Sequence, residues 1–134
     1  MSWLKLLAVL EALLSVSLPA SAHHAFAAQY DVDKIVTVSG IVTRFTWTNP
    51  HAWLYIYGND ESGKVAAWSF EMTSPTGLIH RGWSRADLKK GDHVVIDGYA
   101  AKDGSNLANA RLVTLANGRK LFGGFRSTSA ASAK

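Results

Sequence analysis

The chain has 134 residues, 48 % of them hydrophobic, with a formal net charge of +4 at neutral pH. That length fits one domain, and the apolar content fits a packed core rather than a disordered segment. Cysteine is absent, which excludes disulfides, thiolate metal centres and cysteine nucleophiles.

The first segment reads as an export signal. Lys5 gives a weak positive start, Leu6 to Leu18 is the apolar stretch, and Pro19-Ala20-Ser21-Ala22 ends it with small residues placed for cleavage after Ala22. The apolar run is short for a span of ~20 residues and contains Glu11, which argues against a permanent anchor helix. No later segment is apolar enough to cross a membrane. The expected arrangement is a signal peptide over 1–22, an N-terminal arm over 23–34, a β domain over 35–122 and a disordered tail over 123–134.

His23 to Lys34 has no clear period. Ile35-Val36-Thr37-Val38 is β-branched throughout and opens the first strand. Its apolar phase runs Val36, Val38 and then Ile41, Phe45, Trp47. That slip of one residue at Ser39-Gly40 predicts a β-bulge and a bent strand. Trp47-Thr48-Asn49-Pro50-His51 interrupts the strand, because Pro50 has no amide hydrogen to donate. Ala52 to Tyr57 resumes it, with Leu54 and Ile56 on one face and Trp53, Tyr55 and Tyr57 on the other. Gly58 to Lys64 is a turn. Val65 to Met72 is a third strand, alternating Trp68, Phe70 and Met72 against Ala67, Ser69 and Glu71, and pairs with the second as a hairpin.

One helical signal follows: Ser74 as N-cap, Pro75 at the first helical position, Leu78-Ile79, then Gly82 as the stop. Residues 83–88 add another short turn. Lys89-Lys90-Gly91-Asp92 turns into a fourth strand, His93 to Tyr99. Asp103-Gly104-Ser105-Asn106 turns into a fifth, Ala108 to Leu115. Asn117-Gly118 makes a tight hairpin to a short sixth, Arg119 to Phe122. Residues from Gly123 onward are rich in Gly, Ser and Ala. The fold class is mostly β: three strands, one short helix between strands 3 and 4, then two strands and a short tail. This is the order of an OB-like barrel of five to six strands, with another small β-barrel or sandwich as the alternative.

The chemistry-bearing residues are few. Cleavage after Ala22 gives His23 a free α-amine beside its imidazole, a pair that chelates one metal in a ring, and His24 adds a second imidazole. A third nitrogen from His51 completes a set suited to copper, the strongest divalent binder of its row. Trp47, Asn49 and Trp53 surround His51 in the interrupting loop and are the candidate contacts for a bound molecule. The alternative is structural: Asn49 caps a turn, His51 bonds to backbone, and the tryptophans close one end of the domain. Trp53, Tyr55 and Tyr57 are either a stacking platform or a cluster covered by the arm; nucleic acid is not the expected partner of an exported chain. Basic residues cluster in the second half (Arg81, Arg85, Lys89, Lys90, Arg111, Arg119, Lys120, Arg126) but are interleaved with Asp87, Asp92, Asp97 and Asp103, as on a solvated surface. Glu71 and Asp97 read as isolated carboxylates, and His80 and His93 as surface residues. No serine has a nucleophile-elbow context and no phosphate loop appears. A non-enzymatic module is expected.

These blocks carry a resemblance. His23-His24-Ala25-Phe26-Ala27 with Tyr30-Asp31 resembles the mature start of an uncharacterised family of Gram-negative exported proteins, a domain of unknown function. Asn49-Pro50-His51-Ala52-Trp53, Ser74-Pro75, Arg81-Gly82-Trp83, Leu88-Lys89-Lys90-Gly91-Asp92 and the stretch Gly98 to Ser105 are similar to its later blocks. The resemblance spans essentially the whole mature chain; it implies a periplasmic location and a compact β domain, and no activity. A looser similarity is to small periplasmic copper carriers of OB-like fold, which bind Cu(I) with His, Met and a Trp face. His51, Trp47, Trp53 and Met72 match in residue type, but the mature chain has one methionine where those carriers use two.

Overall fold

The computed structural model describes residues 25–124. Residues 25–29 are helical. Six strands follow: β1 (Tyr30–Thr46), β2 (Trp53–Asp60), β3 (Val65–Glu71), β4 (His93–Ala101), β5 (Leu107–Leu115) and β6 (Lys120–Phe122). The helix α1 (Pro75–His80) and a 3-10 turn (Arg85–Asp87) lie between β3 and β4. No helix among the described residues is long and apolar enough to cross a membrane.

The strands form one sheet in the order β3-β2-β1-β4-β5-β6. β3 also runs parallel to β5, through Ser69↔Leu107, Phe70↔Ala108 and Glu71↔Asn109, so the pairing returns on itself in a ring. The 17-residue β1 makes this geometry feasible. Its later part pairs with β2, from Val38↔Asp60 to Thr46↔Trp53. Its earlier part pairs with β4, from Tyr30↔Ala101 to Ile41↔His93.

Inward positions of every strand supply the core. Val38, Val42, Leu54, Ile56, Phe70, Met72, Ile96 and Val113 are fully buried and belong to one cluster, each large apolar side chain worth about 1.5–3 kcal/mol relative to exposure. Leu78 of α1 joins them. The local sequence explains why α1 forms there: Pro75 stands at its start, and the Ser74 hydroxyl accepts from the Gly77 amide at 3.1 Å. Trp83 is buried beside it and donates its ring N–H to the Phe122 carbonyl at 2.9 Å.

Three sequence expectations change. The bulge is not at Ser39-Gly40. Gly40 stays in register with Gly58 and Val94, and the shift against β2 falls between Val42 and Arg44. Gly40 is required by a close approach: a Cβ there would meet the Tyr57 carbonyl oxygen at 2.4 Å and the Gly58 Cα at 2.6 Å. Val42 therefore enters the core, while Ile41, read as an inward residue, is exposed.

The second change is at the arm. β1 begins at Tyr30 and not at Ile35. Phe26 is buried against Tyr30 (5.3 Å between ring centroids) and Tyr99 (5.9 Å, edge-on). Lys102 holds the same segment twice, its backbone amide donating to the Gln29 carbonyl at 2.9 Å and its ammonium to the Ala27 carbonyl at 2.5 Å.

The third is at the other terminus, where Gly123 and Gly124 are anchored; the remainder of the expected tail, like the expected signal peptide, lies outside the described residues. Gly123 accepts from the Thr73 amide at 2.8 Å and donates to the Arg111 carbonyl at 3.1 Å. The Arg81 guanidinium donates to the Gly124 carbonyl.

Candidate functional site

The strand alternation that sends Phe70 and Met72 inward turns Glu71 to the outer face of the sheet. There Glu71 stands opposite Trp53 of β2 and beside Asn109 of β5. It is nevertheless buried, at 8 % exposure, because the start of β1 lies over it. The Tyr30 hydroxyl, from a residue 2 % exposed, donates to Glu71 Oε2. His51 Nδ1 lies 2.7 Å from Glu71 Oε1. The result is one carboxylate gripped from two sides, by a phenol and an imidazole brought from separate parts of the chain.

Electrostatics follow from that burial. The Tyr30 hydroxyl is pushed far above the ordinary tyrosine range, first by loss of water around it, then by its bond to Glu71 and by the negative charge of that carboxylate. Tyr30 therefore remains a donor at any physiological pH. A carboxylate accepts from Nδ1, so that bond places a ring proton on Nδ1. The imidazole is less covered than its carboxylate partner, with side-chain exposures of 36 % and 11 %. Asn109 is completely buried next to Glu71 in register, and its amide nitrogen and oxygen have no hydrogen-bond partner among the described residues.

A family of unknown function, DUF6152, matches residues 10–110. The chain belongs to the DUF6152 family. No curated protein and no solved structure matches it. The matched span of this DUF6152 chain includes Tyr30, His51, Glu71 and Asn109, and ends within β5.

Of the residues singled out in the sequence, His51 is the one placed on the buried carboxylate. Its loop carries a cis peptide at Asn49–Pro50, and the Thr48 hydroxyl donates to the His51 carbonyl at 3.2 Å. Asn49 is exposed in that loop. Trp53 faces outward, half-buried, opposite Glu71, and stacks on Tyr55 with centroids 6.3 Å apart. Arg44 covers that Tyr55 ring at 4.1 Å. Trp47 packs edge-on against Phe45 at 5.6 Å, and Phe45 in turn lies 5.9 Å from Trp83; its ring thus joins the group that seals the end of the sheet near α1. His23 and His24 lie outside the described residues.

His80 is exposed at the end of α1, and His93 lies 3.2 Å from the Ser39 hydroxyl. Among the described residues no group of three His, Cys, Asp or Glu side chains could hold a metal ion. His51 would therefore contribute one ligand and need others from elsewhere in the chain. Sequence reasoning missed Tyr30 and Glu71. The available signal was a lone carboxylate, Glu71, between Phe70 and Met72 in a mostly apolar strand.

Proposed function

We propose that this DUF6152 chain is an exported, periplasmic, non-enzymatic binding module of OB-like fold that holds a transition-metal ion, copper by preference. The donors are His23, through its new α-amine and imidazole after cleavage at Ala22, with His24 and His51. One observation carries the reading: His51 Nδ1 bonds at 2.7 Å to the buried Glu71. Metal-ligating histidines characteristically donate their second ring N–H to a carboxylate, which fixes the tautomer and strengthens the other nitrogen as a ligand. Phe26 adds support, since its packing on Tyr30 pins the arm next to the carboxylate that orients His51.

The OB-like assignment rests on the strand pairing: β1 between β2 and β4, β3 parallel to β5, and a helix between β3 and β4. In that architecture the loop between β1 and β2, which carries His51, borders the binding face.

The test is calorimetric titration of processed protein with Cu(II), after its N-terminus has been confirmed by mass spectrometry. Binding that disappears in His51→Ala and in a variant lacking His23 and His24 supports the module. Heat unchanged by either substitution removes it. The second reading is a structural or protein-interaction domain of the envelope with no small ligand. It is favoured by the docking of the arm through Phe26 and Lys102, and it predicts no metal binding.

A further inference from the structure

We infer that the outer face where β3, β5 and β4 run side by side is a docking site for an extended polypeptide segment of a partner protein, occupied in this structure by the chain's own residues 25–30. Metal plays no part in it. A row of residues across the sheet defines the site. Trp53 pairs with Glu71, Glu71 with Asn109, and Asn109 with Tyr99, and side chains paired in this way share a face. The arm touches the row on either side of Asn109: Tyr30 donates to Glu71, and Phe26 packs edge-on against Tyr99 at 5.9 Å.

Asn109, in the middle of the row, is the residue that the arm leaves unsatisfied. Its side chain is completely buried, and neither its amide nitrogen nor its amide oxygen has a hydrogen-bond partner among the described residues. Gly124 borders the oxygen so closely that a Cβ there would stand 2.7 Å away, yet it donates nothing to it. A primary amide presents a donor and an acceptor side by side, which complements a peptide group. Buried polar atoms without partners are costly. A segment that brings its main chain to Asn109 therefore gains bonds that the arm forgoes.

The attachment of the arm permits exchange. Its register with β4 jumps from Tyr30↔Ala101 to Ile35↔Tyr99, so residues 31–34 form an unpaired link, and Val32, Asp33 and Lys34 in it are exposed. Ahead of that link the arm is seated by two aromatic rings and by main-chain carbonyls: Gln29 accepts from the Lys102 amide and Ala27 from the Lys102 ammonium. This is the way a sheet accepts an added strand, with main-chain bonds supplying affinity and side-chain pockets supplying specificity. The partner segment takes the same seats, with an aromatic ring against Tyr99 and a tyrosine hydroxyl for Glu71.

The probe is a labelled synthetic peptide with the sequence of residues 25–34, titrated into the full chain in the presence of a chelator and followed by fluorescence anisotropy. It binds Phe26→Ala about tenfold or more tightly than the parent, because the competing arm no longer holds the seat. Adding Glu71→Gln to Phe26→Ala weakens the probe about tenfold, through loss of the charged acceptor. Amide exchange on the parent chain reads the same opening without a substitution: the Lys102 amide exchanges by local release of the arm, faster than the amides of β2. Asn109→Leu keeps or raises the urea midpoint, since an apolar group of similar shape replaces two unpaired atoms. Absence of probe binding to Phe26→Ala, exchange of Lys102 only through global unfolding, or a lowered midpoint in Asn109→Leu overturns the inference. The chelator keeps each of these results separate from the metal-binding reading.

Discussion

Replacing Tyr30 with phenylalanine removes one hydroxyl and leaves the ring in place. The magnitude follows from where that hydroxyl sits. It donates to a carboxylate, and bonds to charged groups contribute about 1.5–3 kcal/mol, while a buried acceptor left without its donor costs a similar amount. Tyr30 is 2 % exposed and Glu71 is 8 % exposed, so water is poorly placed to substitute. A loss of about 2–3 kcal/mol is therefore expected, read as a lower urea midpoint with an unchanged slope. In a Glu71→Gln background the same change should cost clearly less, since contacting residues couple by about 0.5–3 kcal/mol.

The pH profile supplies a second arm. The folded-state pKa of Tyr30 is raised above its unfolded value, so its stabilising contribution is complete below about pH 10. It is lost above that, at up to about 1.4 kcal/mol per pH unit, as the unfolded chain releases the proton that the folded chain retains. The stability difference between the parent and Tyr30→Phe should shrink as pH rises past that point. A Tyr30→Phe loss within about 0.5 kcal/mol, the usual range for inconsequential surface changes, or a difference independent of alkaline pH, would refute the reasoning.

On the metal-binding reading proposed above, Glu71→Gln weakens Cu(II) binding about 10- to 100-fold while His51 stays in place; calorimetry on processed protein measures it. Gly40→Ala should destabilise by about 3 kcal/mol or more, because backbone atoms of Tyr57 and Gly58 lie where its methyl would go; chemical denaturation reads the loss. Asp103 is held below the usual carboxylate range, chiefly by the Ser105 hydroxyl that donates to it at 2.6 Å. Ser105→Ala should raise that titration toward the ordinary value in a carbon-detected NMR pH series.

Local signals were legible where the chain interacts with near neighbours. Leu54, Ile56, Trp68 and Phe70 alternate strictly, and the hairpin they announce pairs Leu54 with Phe70 and Ile56 with Trp68. Ser74-Pro75 marked α1 at its observed start. The beginning of β1 was hidden because Asp31, Asp33 and Lys34 disrupt any period there; that stretch lies outside the pairing with β2, which starts at Val38, so little of it enters the core. Gly40 was misread because a glycine at a phase change looks the same whether it bulges or admits a second backbone, and its neighbour Gly58 is visible only once the strands are paired.

The site was half legible. His51 stood out as a histidine beside Pro50 and two tryptophans, whereas its partner Glu71 and the Tyr30 that Glu71 also binds are 41 positions apart. Burial of Glu71 depends on the start of β1 lying over β3, which no local pattern encodes.

Because Tyr30 pairs with Ala101, and β3 finds its second neighbour in β5, the ring cannot close until β5 has been made. Before β5 emerges, a nascent polypeptide can pair at most the open sheet β3-β2-β1-β4, and the β3–β5 contact that closes it joins distant segments at a loop-closure cost. The ring is thus completed late in synthesis, by the strand that also places Asn109 beside Glu71.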